Sequence, residues 1–225
     1  MAKLFLSLPK RRKKWKKQLE ILKPKTNICK VCFKIKHPSF SALFLPLEMC
    51  TKCYNELKVI YKTEKIEGYK VLSIFEYNET VKTLLYNLKA LGDIELAKII
   101  IERHLFYLKI KYRNYILLPA PSTKESEVLR GFNHVFELFK EIGPIAHLLE
   151  KKENFKQSDL SYVERQEVGK KINLNNGESL RNKKVLIIDD LKTTGATIRA
   201  IIKKIEPFRP KKIEILTLAA TKVNT

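Results

Sequence analysis

Val185-Leu186-Ile187-Ile188-Asp189-Asp190-Leu191-Lys192-Thr193-Thr194-Gly195-Ala196-Thr197 is the stretch that decides the fold. Its four leading residues are all apolar and branched, which predicts a buried parallel strand. Two adjacent carboxylates stand where such a strand would end. A Thr/Gly loop follows, and Ala196 to Ile205 reads as a helix with Ile198, Ile201, Ile202 and Ile205 on one face. In open α/β sheets, ligands bind where strands end and helices begin.

The loop favours a phosphate. Free N–H groups and the dipole at a helix start attract an anion, Gly195 allows close backbone approach, and Thr193, Thr194 and Thr197 add hydroxyl donors. Asp189 and Asp190 would repel that phosphate and fit sugar hydroxyls better. A ribose 5-phosphate satisfies both halves. The stretch resembles the 5-phosphoribosyl-1-pyrophosphate (PRPP) signature of type I phosphoribosyltransferases over its whole length.

Working outward, 225 residues with 44% hydrophobic content suffice for one α/β domain and a small appendage. Apolar runs fall short of the roughly 20 residues needed to span a bilayer. Leu4-Phe5-Leu6-Ser7-Leu8 is too short for a signal segment and precedes its basic cluster. A cytoplasmic protein is expected. The formal net charge is +21, of which residues 1–25 carry +9. The excess therefore extends beyond the amino-terminal arm, and points to polyanionic partners, unless lysine simply fills solvated faces.

Within residues 1–28, a basic arm, Lys10, Arg11, Arg12, Lys13, Lys14, Trp15, Lys16 and Lys17 place one aromatic ring among seven cations. Phosphate neutralisation with a stacking ring suits single-stranded nucleic acid. An anionic membrane surface, with Trp15 and Leu4-Phe5-Leu6 as anchors, suits the same composition.

Cys29, Cys32, Cys50 and Cys53 form two Cys-x2-Cys pairs, the spacing of a structural four-cysteine zinc site, within a small domain over 29–60. Disulfides are the alternative, but nothing marks the chain as secreted. Phe33, Phe40, Phe44 and Tyr54 are expected to pad this domain.

Residues 55–68 read as a connector to a domain over 69–225. Tyr69–Tyr77 reads as a strand, and Asn78 caps a helix from Glu79 to Lys89 that stops near Gly92. A second helix is expected from Asp93 to Leu108. Tyr115–Pro119 is a short buried strand leading to Lys124 and then Arg130-Gly131-Phe132-Asn133, with Arg130 opening the next helix. That loop offers Lys124 and Arg130 to a second anion. Ser161 and Glu164 read as a capping box after a flap-like segment. The last strand is Ile213–Leu218. His37, His104, His134 and His147 show no ligand spacing. His134 follows Arg130-Gly131-Phe132-Asn133, which leaves an approach to the site open, but a surface or partly buried position is the favoured expectation.

Taken in order, these motifs resemble the ComF family of competence-associated phosphoribosyltransferase-like proteins. The resemblance covers about residues 29–219 and rests on the paired cysteines, Leu88-Lys89 with Gly92, Pro119-x-Pro121 with Arg130-Gly131-Phe132-Asn133, then Gln157, Leu160 and Arg165, and finally the Asp-Asp-x-x-Thr-Thr-Gly-Ala-Thr signature. It implies an α/β type I phosphoribosyltransferase fold, a mainly parallel central sheet flanked by helices, behind a small amino-terminal four-cysteine zinc domain.

The resemblance further implies a role in natural transformation, handling incoming single-stranded DNA at the cytoplasmic side of the membrane, among other DNA-uptake or recombination proteins. It implies PRPP bound with magnesium. Asp189 and Asp190 would hold the ribose, Lys192, Thr193, Thr194, Gly195, Ala196 and Thr197 the 5-phosphate, and Lys89, Lys124 and Arg130 the pyrophosphate end. Turnover on an unidentified acceptor is the enzymatic alternative, with Asp189, Asp190, Arg130 and Lys89 as the catalytic set. A PRPP sensor or a relic site is the non-enzymatic one.

Overall fold

The computed structural model describes residues 28–36, 48–151 and 172–221. The basic cluster 10–17, Phe40, Phe44 and the block carrying Gln157, Leu160, Ser161, Glu164 and Arg165 lie outside the described residues. The chain divides into two compact units, Met1–Tyr54 and Asn55–Thr225.

In the first unit, Ile28 bridges Ile35 in antiparallel fashion, so Cys29 and Cys32 sit on one small turn. Helix α1, Thr51–Glu56, carries buried Cys53, and its Tyr54 N–H donates to the Cys50 carbonyl at 3.0 Å.

The second unit is built on a five-stranded sheet. Its strands are β1, Val59–Ile66; β2, Tyr69–Glu76; β3, Tyr115–Pro119; β6, Lys184–Lys192; and β7, Lys212–Ala220. The order is β1-β2-β7-β6-β3, parallel throughout except for the β1–β2 pair. A short antiparallel pair, β4 over Leu149–Lys151 and β5 over Ile172–Leu174, stands apart from this sheet. The inner strands have near-continuous apolar runs because both sheet faces are covered. Val185 through Ile188 are each fully buried. Inside this layer, Ser73 and Thr217 stand opposite each other and share a hydroxyl–hydroxyl bond of 2.8 Å, which satisfies two buried polar groups at once.

Helix α2, Glu79–Ala90, begins where Asn78 Oδ1 accepts from the Val81 N–H at 3.0 Å, as expected, and buries Val81, Leu84, Leu85 and Leu88. The expected helix over 93–108 is instead broken. Helix α3, Glu95–Ile101, and helix α4, Leu105–Lys111, are separated by a 3-10 turn at Glu102–His104.

Two further expectations are corrected. Residues 55–68 contain the edge strand β1 rather than only a connector; its exposed, charged alternation conceals pairing on one side alone. Arg130 closes a helix rather than opening one. Helix α5, Lys124–Arg130, is capped by Thr123 and ends at left-handed Gly131, φ 77°. Asn133 then caps helix α6, His134–Phe139, through the Phe136 N–H.

Candidate functional site

Strand β6 does not stop before the acidic pair. Pairing with β7 continues through Asp189↔Thr217 and Leu191↔Ala219 to Lys192↔Ala220, so both carboxylates project from strand backbone. Thr193 to Gly195 then turn the chain into helix α7, Ala196–Ile205, whose buried face carries Ile198, Ala200, Ile201, Ile202 and Ile205.

The turn depends on Gly195. Its φ is 76°, and a Cβ there would come within 2.7 Å of Ile66 Cδ1. No side chain caps α7 at Gly195. Thr194 Oγ1 approaches the Ala196 N–H at 3.4 Å, while Arg199 clamps the Thr194 carbonyl at 2.8 Å. Thr193 and Thr194 are exposed and Thr197 is half-buried. Hydroxyls, first-turn N–H groups and the helix dipole therefore converge on one place, the arrangement that binds an anion.

The two aspartates occupy different environments. Asp190 is buried; Lys89 Nζ pairs with its Oδ2, and His134 Nε2 lies 3.6 Å from its Oδ1. Burial pushes its carboxyl up, but His134 and the Lys89 ammonium outweigh that and hold it below the usual carboxylate range. Asp189 accepts a hydrogen bond from the Asp190 N–H at 2.9 Å. Burial and the neighbouring Asp190 charge push its carboxyl well up. One carboxylate is thus compensated by the protein, and the other is ready to be stabilised by a cation or by sugar hydroxyls.

Other expected site residues are placed less uniformly. Lys89 meets the acidic pair. Lys192 is buried and ion-paired with Glu64 at 2.8 Å, so its ammonium is already engaged. Lys124 and Arg130 lie at opposite ends of α5, about 9 Å apart along the helix. Lys124 is exposed, whereas Arg130 Nε and Nη2 are buried with no hydrogen-bond partner among the described residues. Glu127 holds this block together, accepting from Ser122 Oγ and Asn133 Nδ2, each at 2.5 Å.

Sequence reading missed two participants. His134 is 6% exposed and faces Asp190, where a surface or partly buried position was expected. Its place directly after Arg130-Gly131-Phe132-Asn133 was the available signal. Glu64 lay in the supposed connector and carried none.

In the first unit, the four cysteine sulfurs lie within 4.8 Å of one another. Cys29–Cys53 and Cys32–Cys50 are 3.9 and 3.8 Å apart. Four sulfurs at about 2.3 Å from one tetrahedral metal ion would be separated by about 3.8 Å, so the set could hold an ion such as zinc. Burial raises the Cys29 thiol, but backbone N–H groups, among them those of Val31 and Cys50 at 3.4 and 3.3 Å, bring it down to about 7. Burial and neighbouring sulfurs push Cys53 up.

This chain is similar to several known proteins. Residues 145–225 match the model of the phosphoribosyl transferase domain. A hypoxanthine phosphoribosyltransferase structure from Staphylococcus aureus is 22% identical, covering 56% of this chain and 64% of that one, with a TM-score of 0.36. Competence protein ComFC of Bacillus subtilis (strain 168) is 32% identical over 56% of this chain and 53% of its own length. Competence protein ComFC of Streptococcus pneumoniae (strain ATCC BAA-255 / R6) is 31% identical over 76% of each chain. With 31% identity over 76% of both chains and a matching phosphoribosyl transferase domain, this chain belongs to the ComFC family of competence proteins.

Proposed function

We propose that this competence protein binds PRPP with magnesium and handles single-stranded DNA during natural transformation. The observation that carries the first part is the junction of β6 and α7, where an uncapped helix start at Ala196 follows Asp190 by six residues. Thr193 to Thr197 receive the 5-phosphate. Asp189 and Asp190 hold the ribose hydroxyls, with magnesium shared between those hydroxyls and the pyrophosphate. Lys89 orients Asp190, and Arg130 supplies guanidinium N–H groups to the pyrophosphate end. The Cys29, Cys32, Cys50 and Cys53 set binds structural zinc. Lys10 to Lys17 supply phosphate contacts to DNA, at the cytoplasmic side of the membrane. The ComFC relationship and the net charge of +21 support this part.

Calorimetry of PRPP with magnesium tests the site. Binding by the wild type that disappears in Asp189→Ala/Asp190→Ala is expected. No binding by the folded, zinc-loaded wild type would overturn the reading. A second reading, transfer to an acceptor, is favoured by the two carboxylates beside the expected anomeric carbon, where positive charge develops as pyrophosphate leaves. Pyrophosphate release across a panel of bases and nucleotides decides it.

A further inference from the structure

The amino-terminal edge of the parallel sheet carries an arrangement that the PRPP site does not use. Lys184 of β6 stands directly opposite Lys212 of β7. One residue earlier, the Lys211 N–H donates to the Lys183 carbonyl at 2.8 Å, setting these two lysines side by side as well. The Lys184–Lys212 rung therefore pairs like charges, and Lys183 and Lys211, just beyond the ladder, lie toward the other face of the sheet.

The conflict is only partly relieved. Glu214 pairs with Lys212 at 2.6 Å, and the Lys184 ammonium lies over the Tyr115 ring, 5.7 Å from its centroid. Lys183 and Lys211 are exposed and form no ion pair among the described residues, whereas exposed Lys70 on β2 stands opposite Glu214. Beside them lies a cleft of about 450 Å³ containing Tyr69, Arg209, Lys211 and Lys212. Glu206, the acid lining it, is held by the Tyr69 hydroxyl at 2.8 Å.

We propose that this edge, centred on Lys183, Lys211 and the Lys184–Lys212 rung, is a docking surface for the sugar-phosphate backbone of single-stranded DNA. The proposal rests on the reading that the chain handles such DNA. It adds residues other than 10–17, at the opposite end of β6 from Asp189 and Asp190. Cations gathered at the ends of adjoining strands, reaching both sides of the sheet edge, fit a linear polyanion that wraps it. A bilayer fits poorly, because no large apolar side chain within 66–70, 181–184 or 209–213 is exposed to anchor in it. Lys183 and Lys184 lie about 17–23 Å along the chain from Asp189 and Asp190, so DNA and PRPP do not compete.

The test is fluorescence anisotropy of a labelled oligothymidylate with full-length protein across a salt series. Lys183→Gln/Lys211→Gln is expected to bind about 25-fold more weakly at 0.1 M salt, with the salt slope reduced by about 1.4, since each single-strand phosphate contact contributes about 0.7. Its melting temperature should not fall, because both lysines are exposed and their removal relieves like-charge repulsion. Saturating PRPP with magnesium should leave wild-type DNA affinity unchanged.

Wild-type affinity and slope in this variant, with binding lost only when residues 10–17 are neutralised, would overturn the proposal and leave DNA handling intact. Tenfold weaker DNA binding in the presence of PRPP would also overturn it. Binding by the wild type to anionic phosphatidylserine vesicles but not to oligothymidylate would overturn both the proposal and the DNA reading beneath it.

Discussion

The Lys89 ammonium, in the last turn of α2, is paired with the buried Asp190 carboxylate on the central strand β6. This contact joins two motifs far apart in the chain, Leu88-Lys89 with Gly92 and the Asp189-Asp190 pair. It also divides the labour between neighbouring carboxylates, since Asp190 is compensated from within and Asp189 is not. Removing the cation leaves a buried charge facing only His134. Lys89→Met should therefore cost about 2 kcal/mol, moderated by the partial exposure of Lys89. Adding Asp190→Asn should recover most of that loss. A double-mutant cycle by denaturant unfolding measures the coupling.

Gly195→Ala should cost about 2 kcal/mol, because left-handed backbone is unfavourable for alanine and Ile66 Cδ1 would lie 2.7 Å from the new methyl. Shortening the neighbour in Gly195→Ala/Ile66→Val should return part of the stability, leaving the backbone component. Thermal unfolding of the two variants separates these contributions.

His104 is buried and accepts the Tyr61 hydroxyl or donates to it at 2.5 Å. Burial, with help from Arg103, brings its pKa down to about 4. Its ring is therefore neutral in the folded protein, while the unfolded chain takes up a proton near pH 6.5. Stability from this residue is complete above about pH 6.5 and falls as pH drops toward 4, by about 3 kcal/mol in all. His104→Gln should flatten that part of the pH–stability profile, as read by urea unfolding at a series of pH values.

The cysteine set should bring one zinc ion per chain, countable by metal analysis of purified protein. A strong chelator should release it and abolish the structure of the amino-terminal unit, since binding energy at such sites is folding energy. Cys53→Ser should lower zinc content and make the remaining thiols react faster with a thiol reagent.

Much of this architecture could be read from residue patterns. The Val185–Ile188 run announced a strand buried on both faces, and the isoleucines of 198–205 announced the helix that covers it. Asn78 capped its helix where the pattern placed it, because an N-cap is a local contact. Non-local pairing was harder to see. β1 was missed since an edge strand exposes half its residues, and here those are lysines and glutamates. The break at Glu102–His104 follows from burying His104 against Tyr61 and Phe75, contacts made with other strands. Arg130 was put at the wrong end of its helix because Thr123 and Gly131, the residues that delimit it, act through backbone geometry that composition leaves open. Within the site, the Asp-Asp and Thr-Thr-Gly elements were legible. The roles of His134 and Glu64 were not, since each depends on which side chain the fold brings opposite.

The meeting of Ile66 with Gly195, and of Glu64 with Lys192, has a consequence for how the chain tolerates length change. Both contacts come from one two-stranded ribbon whose turn is only Glu67-Gly68. One residue inserted between Ile66 and Glu67, with the two-residue turn kept, would slide β1 by one place against β2 and invert which side of the ribbon Glu64 and Ile66 occupy. The glutamate would leave its lysine, and the isoleucine would leave the anion loop. A surface hairpin that looks dispensable thus sets the reading frame of the site, and insertions there should be tolerated only in pairs.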